Sequence, residues 1–289
     1  MNTFQPKLQA NPLIGYMRQP KILIKLPSKG NYWPNGSLEI SETGDYPVYS
    51  MTAKDELMLK IPDALISGQA IVEVIQHCVP NIKNAWAIPG VDLDVILIAI
   101  RIATYGEIMK VPLTKGEVTY DYEIDLRYVM GALQEQIRWE DSIQITPDLV
   151  VYVKPVDYRQ ISASATKTFE TQRILQIAND SKLSDVEKNK SFKDAINTLN
   201  DITVGLVTNS IYKIDSAQGL TEDLKFIKEF MDNVDKEVFD IVKSHIEKLR
   251  ENNNIKPMFV TPSQDMIEKG FPKEDIEIPL VFDPSTFFG

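Results

Sequence analysis

The residues able to do chemistry in this chain are few and poorly matched to one another. His77 and Cys78 adjoin in Ile75-Gln76-His77-Cys78-Val79-Pro80, and an imidazole beside a thiol could hold a metal. Adjacent helical positions point about 100° apart, however, so Cys78 reads better as a small buried hydrophobe. His77 and His245 read as surface or boundary residues, and two histidines in 289 residues supply little acid–base capacity at neutral pH. Asp121, Glu123 and Asp125 alternate with Tyr122 and Ile124, which puts three carboxylates on one face of a strand. They could meet a divalent cation, but without partner ligands nearby a solvated strand face is the simpler reading. Ser164-Ala165-Thr166-Lys167 has the spacing of an acylating serine, yet no S-D-N or K-T-G partner follows it, and Thr114-Lys115-Gly116 is wrong in order and place. Asp92 and Asp94 are explained by helix capping and a favourable dipole. Gly-rich phosphate loops, H-E-x-x-H and G-x-S-x-G are all missing from the sequence. No catalytic, cofactor-binding or metal-binding residue is assigned, and the chain is not expected to be an enzyme.

The elements around these residues are legible from their start signals. Lys21–Pro27 alternates with period two and predicts a strand, followed by a turn at Asn35-Gly36. Leu38–Ile40 and Tyr46–Ser50 predict further short strands. Thr52 with Asp55 three residues on forms a capping box, Pro62 with Asp63 and then Ser67 open the next turns, and Asp92 caps a third helix. The body of that helix, Leu93–Ala103, is apolar on nearly every side and must be surrounded by protein. Ile108–Leu113 and Val118–Leu126 predict a β-hairpin, Arg127–Trp139 a helix, and Leu149–Lys154 a buried strand. From Asp157 to Asp215 apolar residues from Phe169 to Ile211 recur at helical spacing, with a capping box at Ser184 dividing two antiparallel helices. Thr221 with Asp223, and Asp235, start two more. Lys256–Thr261 and Asp275–Phe282 predict a second hairpin. The fold class is α+β: a small mixed β portion, a compact helical core and an inserted antiparallel helical region. The boundaries fall at 1–20 (arm), 21–156 (core with hairpin), 157–254 (helical region) and 255–289 (hairpin and aromatic tail packing back on the core).

Composition bounds the function. A net charge of −10 and a pI near 4.9 argue against nucleic acid, whose binding rests on phosphate neutralisation by Lys and Arg. Arg101 interrupts the one long apolar run well short of the roughly 20 residues a membrane span needs. One cysteine excludes an internal disulfide. The first residues contain no continuous apolar stretch, so no secretory leader is expected and synthesis in a cytoplasm is. Lys7, Arg18, Lys21, Lys25 and Lys29 all precede the first acid, Glu39. A basic arm thus leads an acidic body, and its interleaved apolar residues predict docking on an acidic surface, its own or a neighbour's.

Several motifs in order carry a family resemblance: Leu26-Pro-Ser-Lys-Gly30, Met51-Thr-Ala-Lys-Asp-Glu56, Pro62-Asp-Ala-Leu65 with Gly68 and Ala70, Cys78-Val-Pro80, Asp92-x-Asp94 running into ILIAIRIATYGE at 96–107, and the ending VFDPSTFFG at 281–289. Together they resemble the baseplate hub protein family of contractile-tailed, T-even-type bacteriophages. The resemblance implies a structural component of the virion's tail baseplate, at the hub or its immediate surround. It would be made in the host cytoplasm and would bind other baseplate and tail proteins in several copies within a symmetric assembly. A non-virion assembly chaperone would have the same kind of sequence.

Relatives in this family commonly carry Cys-x-x-Cys pairs on both hairpins, which would hold zinc or an iron–sulfur cluster. Neither hairpin here contains a cysteine, so no cofactor is expected, and the hairpins should meet through packing as one β module. Partner binding is assigned to Phe4, Leu8, Tyr16 and Arg18 of the arm, to Tyr32 and Trp33 in a turn, and to Phe287 and Phe288 at the end. Aromatic residues dominate such contacts. With Phe287 and Phe288 as anchors, removal of residues 284–289 should leave a folded protein.

Overall fold

A computed structural model describes residues 13–115, 118–135, 139–180, 184–278 and 287–288. Its organising element is a helix that water hardly touches. Helix α4 (Gly90–Tyr105) follows β1 (Pro20–Lys25), β2 (Asp45–Tyr49), α1 (Ala53–Leu59), α2 (Pro62–Ile66) and α3 (Gln69–Cys78); β1, β2 and α3 pack directly on it, and α1 and α2 pack on α3. Val95, Ile96, Ile98, Ala99 and Ile100 are wholly buried, each large one contributing about 1.5–3 kcal/mol by leaving water. β1 and β2 pair antiparallel and lay Ile24, Tyr46 and Val48 on the same core. The hairpin of β3 (Ile108–Lys115) and β4 (Val118–Asp125) and helix α5 (Leu126–Glu135) close this first body.

The capping box at the start of α1 forms as predicted, with Thr52 and Asp55 exchanging bonds. Pro62 opens α2, but Ser67 ends that helix instead of starting the next. Gly68 starts α3 from a left-handed conformation, φ 75°. Asp92 does not cap α4, which begins at Gly90 behind Pro89; its carboxylate is taken by side chains from another segment, described below.

A second core assembles on an antiparallel sheet of order β5-β6-β7-β8, from β5 (Ser142–Thr146), β6 (Leu149–Val153), β7 (Ile211–Ser216) and β8 (Gly219–Thr221). Between β6 and β7 the chain makes the long hairpin of α6 (Tyr158–Asp180) and α7 (Asp185–Ser210), with the capping box at Ser184 in place. Ile211 was expected at the end of a helical run; it opens β7 instead. Short apolar stretches fit either period, and pairing with Leu149–Val153 decides the outcome. Helices α8 (Leu224–Asn233) and α9 (Lys236–Asn253) then cover the sheet with Ile227, Met231, Val242, Ile246 and Leu249. The chain ends on β9 (Met258–Val260), α10 (Gln264–Glu268) and β10 (Ile276–Ile278).

The two predicted hairpins come together, but by side chains. Among the described residues β3–β4 and β9–β10 remain separate two-stranded sheets. Tyr120 meets Phe271 edge to face at 6.3 Å, and Met109, Val111, Leu113 and Tyr122 share a hydrophobic cluster with Met258, Val260 and Ile278. All described strand pairs are antiparallel.

The joint between the two cores is tight. Gly90 N–H donates to Val156 O and Tyr158 N–H to Ile88 O, both at 2.8 Å, while Trp86 stacks on Tyr158 with centroids 5.7 Å apart. Beside them α6 presses on Gly68, where an added Cβ would lie 2.5 Å from Ser162 Oγ. Gly68→Ala therefore meets both a left-handed backbone and a clash. It is expected to cost about 2 kcal/mol in urea denaturation, with Ser162→Ala in the same chain recovering part of the loss.

Candidate functional site: the arm anchor, the buried carboxylates and the exposed apolar surface

The arm is fastened where α3 ends. The Arg18 guanidinium donates to Ser50 O at 2.5 Å and His77 O at 2.6 Å, approaches Cys78 Sγ at 3.8 Å, and lies over the Tyr49 ring. A cation suits the carbonyls at a helix C-terminus. Asp55, wholly buried, stands 3.8 Å from Arg18 and accepts from His77 Nδ1 at 2.7 Å and from Thr52 N–H and Oγ1 at 2.7 and 2.8 Å. Burial pushes the Asp55 carboxyl up, but the donors of His77 and Thr52 outweigh it and hold the group below its usual range. Cys78 is fully buried, and desolvation drives its thiol up to about 11, far from a reactive thiolate.

Asp92 is the second buried carboxylate. It accepts from Ser28 N–H at 2.7 Å, Ser28 Oγ at 2.5 Å and Trp33 Nε1 at 2.8 Å, so the loop after β1 is tied to the first turn of α4. Burial outweighs these three donors and raises its pKa to about 6. Asp94 is raised to about 6 by burial alone. It lines a 210 Å3 cavity between the cores, with Trp139, Ile161 and Arg250 on other walls.

The sequence-assigned contact residues differ in where they lie. Phe4 and Leu8 lie outside the described residues. Tyr16 is 89% exposed beside exposed Leu13 and Met17, whereas Arg18 is spent on the chain's own body. Tyr32 sits half-buried at φ 67°, and Trp33 is half-buried with its indole N–H given to Asp92. Phe287 and Phe288 are each 4% exposed, packed edge to face at 5.0 Å in the first core. Arg101 of α4 lies over the Phe287 ring, and Tyr105 Oη donates to Phe288 O at 2.7 Å. Both rings thus lie in the first core, as a tail packing back on the core requires, and Phe287 covers a half-buried guanidinium of α4.

Sequence reading missed a different apolar set. Leu224 and Phe226 are both 61% exposed next to exposed Leu220, and Phe169, Ile174, Val186 and Ile196 stand exposed on the helical hairpin. The available signal was α8 itself: Ile227 and Met231 form its buried stripe and leave Phe226 off it, while Leu224, on the same stripe by spacing, stands exposed as the helix's first residue. Asp121, Glu123 and Asp125 do share a strand with outward carboxylates, but Glu123 pairs with Lys110 and Asp125 with Arg127. No group of three or more potential metal ligands forms among the described residues. No helix among them is long and apolar enough to cross a membrane.

A family model described as T4 bacteriophage base plate protein matches residues 20–257, well over half of the chain. No curated protein and no solved structure matches it.

Two expectations follow. Asp92 and Asp94, raised above 3.8 to about 6, stabilise the fold most below pH 4 and lose that contribution as pH rises through 6; Asp55, lowered, loses its own as pH falls below its usual range. Denaturation midpoints should therefore be higher near pH 5 than at pH 8, and Asp94→Asn should raise the pH 8 value while leaving the acid side nearly unchanged. Separately, Phe287→Ala should cost about 3–5 kcal/mol in equilibrium unfolding, because it opens the first core.

Proposed function

The chain belongs to the T4 bacteriophage base plate protein family, and from that premise we propose that it is a structural subunit of the tail baseplate hub or its immediate surround. It works by adhesion: it holds neighbouring tail proteins in register, in several copies about the tail axis, and turns over no substrate. The family match carries the baseplate role. The choice of surface rests on the exposed Leu220, Leu224 and Phe226, together with Tyr16 and its neighbours on the arm. Exposed large apolar side chains in a group are costly in water unless a partner covers them. The half-buried Tyr32 and Trp33 serve the chain's own loop first, and present only their outer edges to a neighbour.

Mass spectrometry of purified virions tests the role. The chain should be present in finished particles; its absence there, with tails still dependent on it for assembly, would favour an assembly chaperone. For the surface, Leu224→Asp with Phe226→Asp should leave the melting curve of the free protein within experimental error of the parent, yet abolish incorporation into baseplates. Normal incorporation of that variant would remove this patch from the interface.

A further inference from the structure

The cavity of about 210 Å3 at the joint of the two cores is walled by the start of α4, the roots of the helical hairpin and the end of α9. It is several times the ~30 Å3 share of one water. Its polar lining is poorly satisfied from within the chain. Asp94 makes no hydrogen bond or ion pair among the described residues, and burial alone acts on its carboxyl. Asn253, 9% exposed, spends Nδ2 on Leu249 O at 2.7 Å and leaves its buried Oδ1 without a partner. Ser210, 2% exposed, gives its hydroxyl hydrogen to Leu206 O and keeps its oxygen lone pairs. Acceptors buried without donors are costly, and here three of them line one cavity. The other charged lining residue is Arg250, which is exposed and pairs neither with Asp94 nor with any other acid among the described residues. Leu93, Ile161 and Trp139 supply apolar walls, the indole N–H of Trp139 being already given to Val153 O.

We propose that this cavity binds a compact zwitterion of amino-acid size, its ammonium held by Asp94, Asn253 and Ser210 and its carboxylate by Arg250. An ammonium brings three donors, one for each of the three open acceptors. A guanidinium fork matches a carboxylate in shape and charge. Arg250 and Asn253 stand three residues apart on α9 and are neighbours on one of its faces, so a single small molecule reaches both. The zwitterion completes an ion pair between Asp94 and Arg250 that the chain itself leaves open. A simple cation would leave Arg250 facing like charge, and a simple anion would face Asp94. A divalent metal lacks ligands, since no group of three forms among the described residues. The apolar walls leave room for a short aliphatic side chain, and a joint between two cores is a common place for such a pocket. Once bound, the ligand ties α4 of the first core to α7 and α9 of the second. The site shares no residue with the Leu224 and Phe226 patch and is independent of the baseplate reading.

Isothermal titration of the full chain at pH 8 with L-leucine, 3-methylbutylamine and 4-methylpentanoate tests the site, because the last two are L-leucine without its carboxylate and without its ammonium. L-leucine should bind with a Kd below about 1 mM, and each of the others at least tenfold more weakly. Asp94→Asn should weaken L-leucine at least tenfold. Arg250→Gln, at an exposed position, should remove the preference for L-leucine over 3-methylbutylamine and leave the amine's own Kd unchanged. L-leucine should also raise the melting midpoint of the parent in proportion to the logarithm of its concentration, and leave that of Asp94→Asn unmoved. A cavity that holds water only, seen as no heat and no midpoint shift with L-leucine, would overturn the proposal. So would an amine that binds as tightly as L-leucine, or L-leucine binding indifferent to either variant.

Discussion

Helix α4 has almost no side it can turn to water, and much of the first body exists to answer that constraint. Its apolar positions are met by β1, β2, α3 and α5. Its polar positions cannot be left bare, since an unpaired buried polar group costs about 1–3 kcal/mol. Each is answered from a distant part of the chain. Ser28 and Trp33 supply donors to Asp92, Met51 N–H donates to Thr104 Oγ1, and the ring of Phe287 covers Arg101. The loop after β1, the lead-in to α1 and the chain's end are thus held by one helix. Two are exceptions: Arg101 Nε is buried without a hydrogen bond, and Asp94 lines the cavity at the joint of the two cores, its carboxyl raised by burial alone.

Much of this was legible in the sequence wherever a local signal was strong. The capping boxes at Thr52 and Ser184, Pro62 at a helix start, the hairpin at 108–125 and the all-apolar body of α4 each have one physical explanation, and each is found in the fold. What escaped depended on partners far away in the chain. Ile211 fits a helix by spacing, and becomes a strand because Val153 lies beside it. Asp92 fits a cap by position, and becomes a buried acceptor because Ser28 and Trp33 reach it. Arg18 belongs to an arm expected to dock on its own body or a neighbour's, but no local signal points to the carbonyls at the end of α3 that its guanidinium finds.

The same logic governs what is left for binding. Terminal aromatics suggest anchors when read alone, but Phe287 and Phe288 are consumed by the chain's own core. The outward apolar residues include Phe226, which the buried stripe of Ile227 and Met231 leaves over, and Leu224, which stands exposed at the start of that helix. On the proposed reading, a baseplate subunit needs a body stiff enough to present such residues at fixed positions. Two cores joined through Gly90, Gly68 and the Trp86–Tyr158 stack meet that need.

The helical hairpin of α6 and α7 leaves the sheet from β6 and returns to β7, its hydrogen-bonded neighbour. Its two roots therefore stand about 4.8 Å apart, as close as strands can be. Lengthening, shortening or replacing that excursion changes the loop-closure entropy only slightly, because the cost grows with the logarithm of length. The constraint on this hairpin therefore lies in its roots, where Tyr158 and Ser162 bind the joint and Val207 enters the second core, and its distal length is free to vary at little entropic cost.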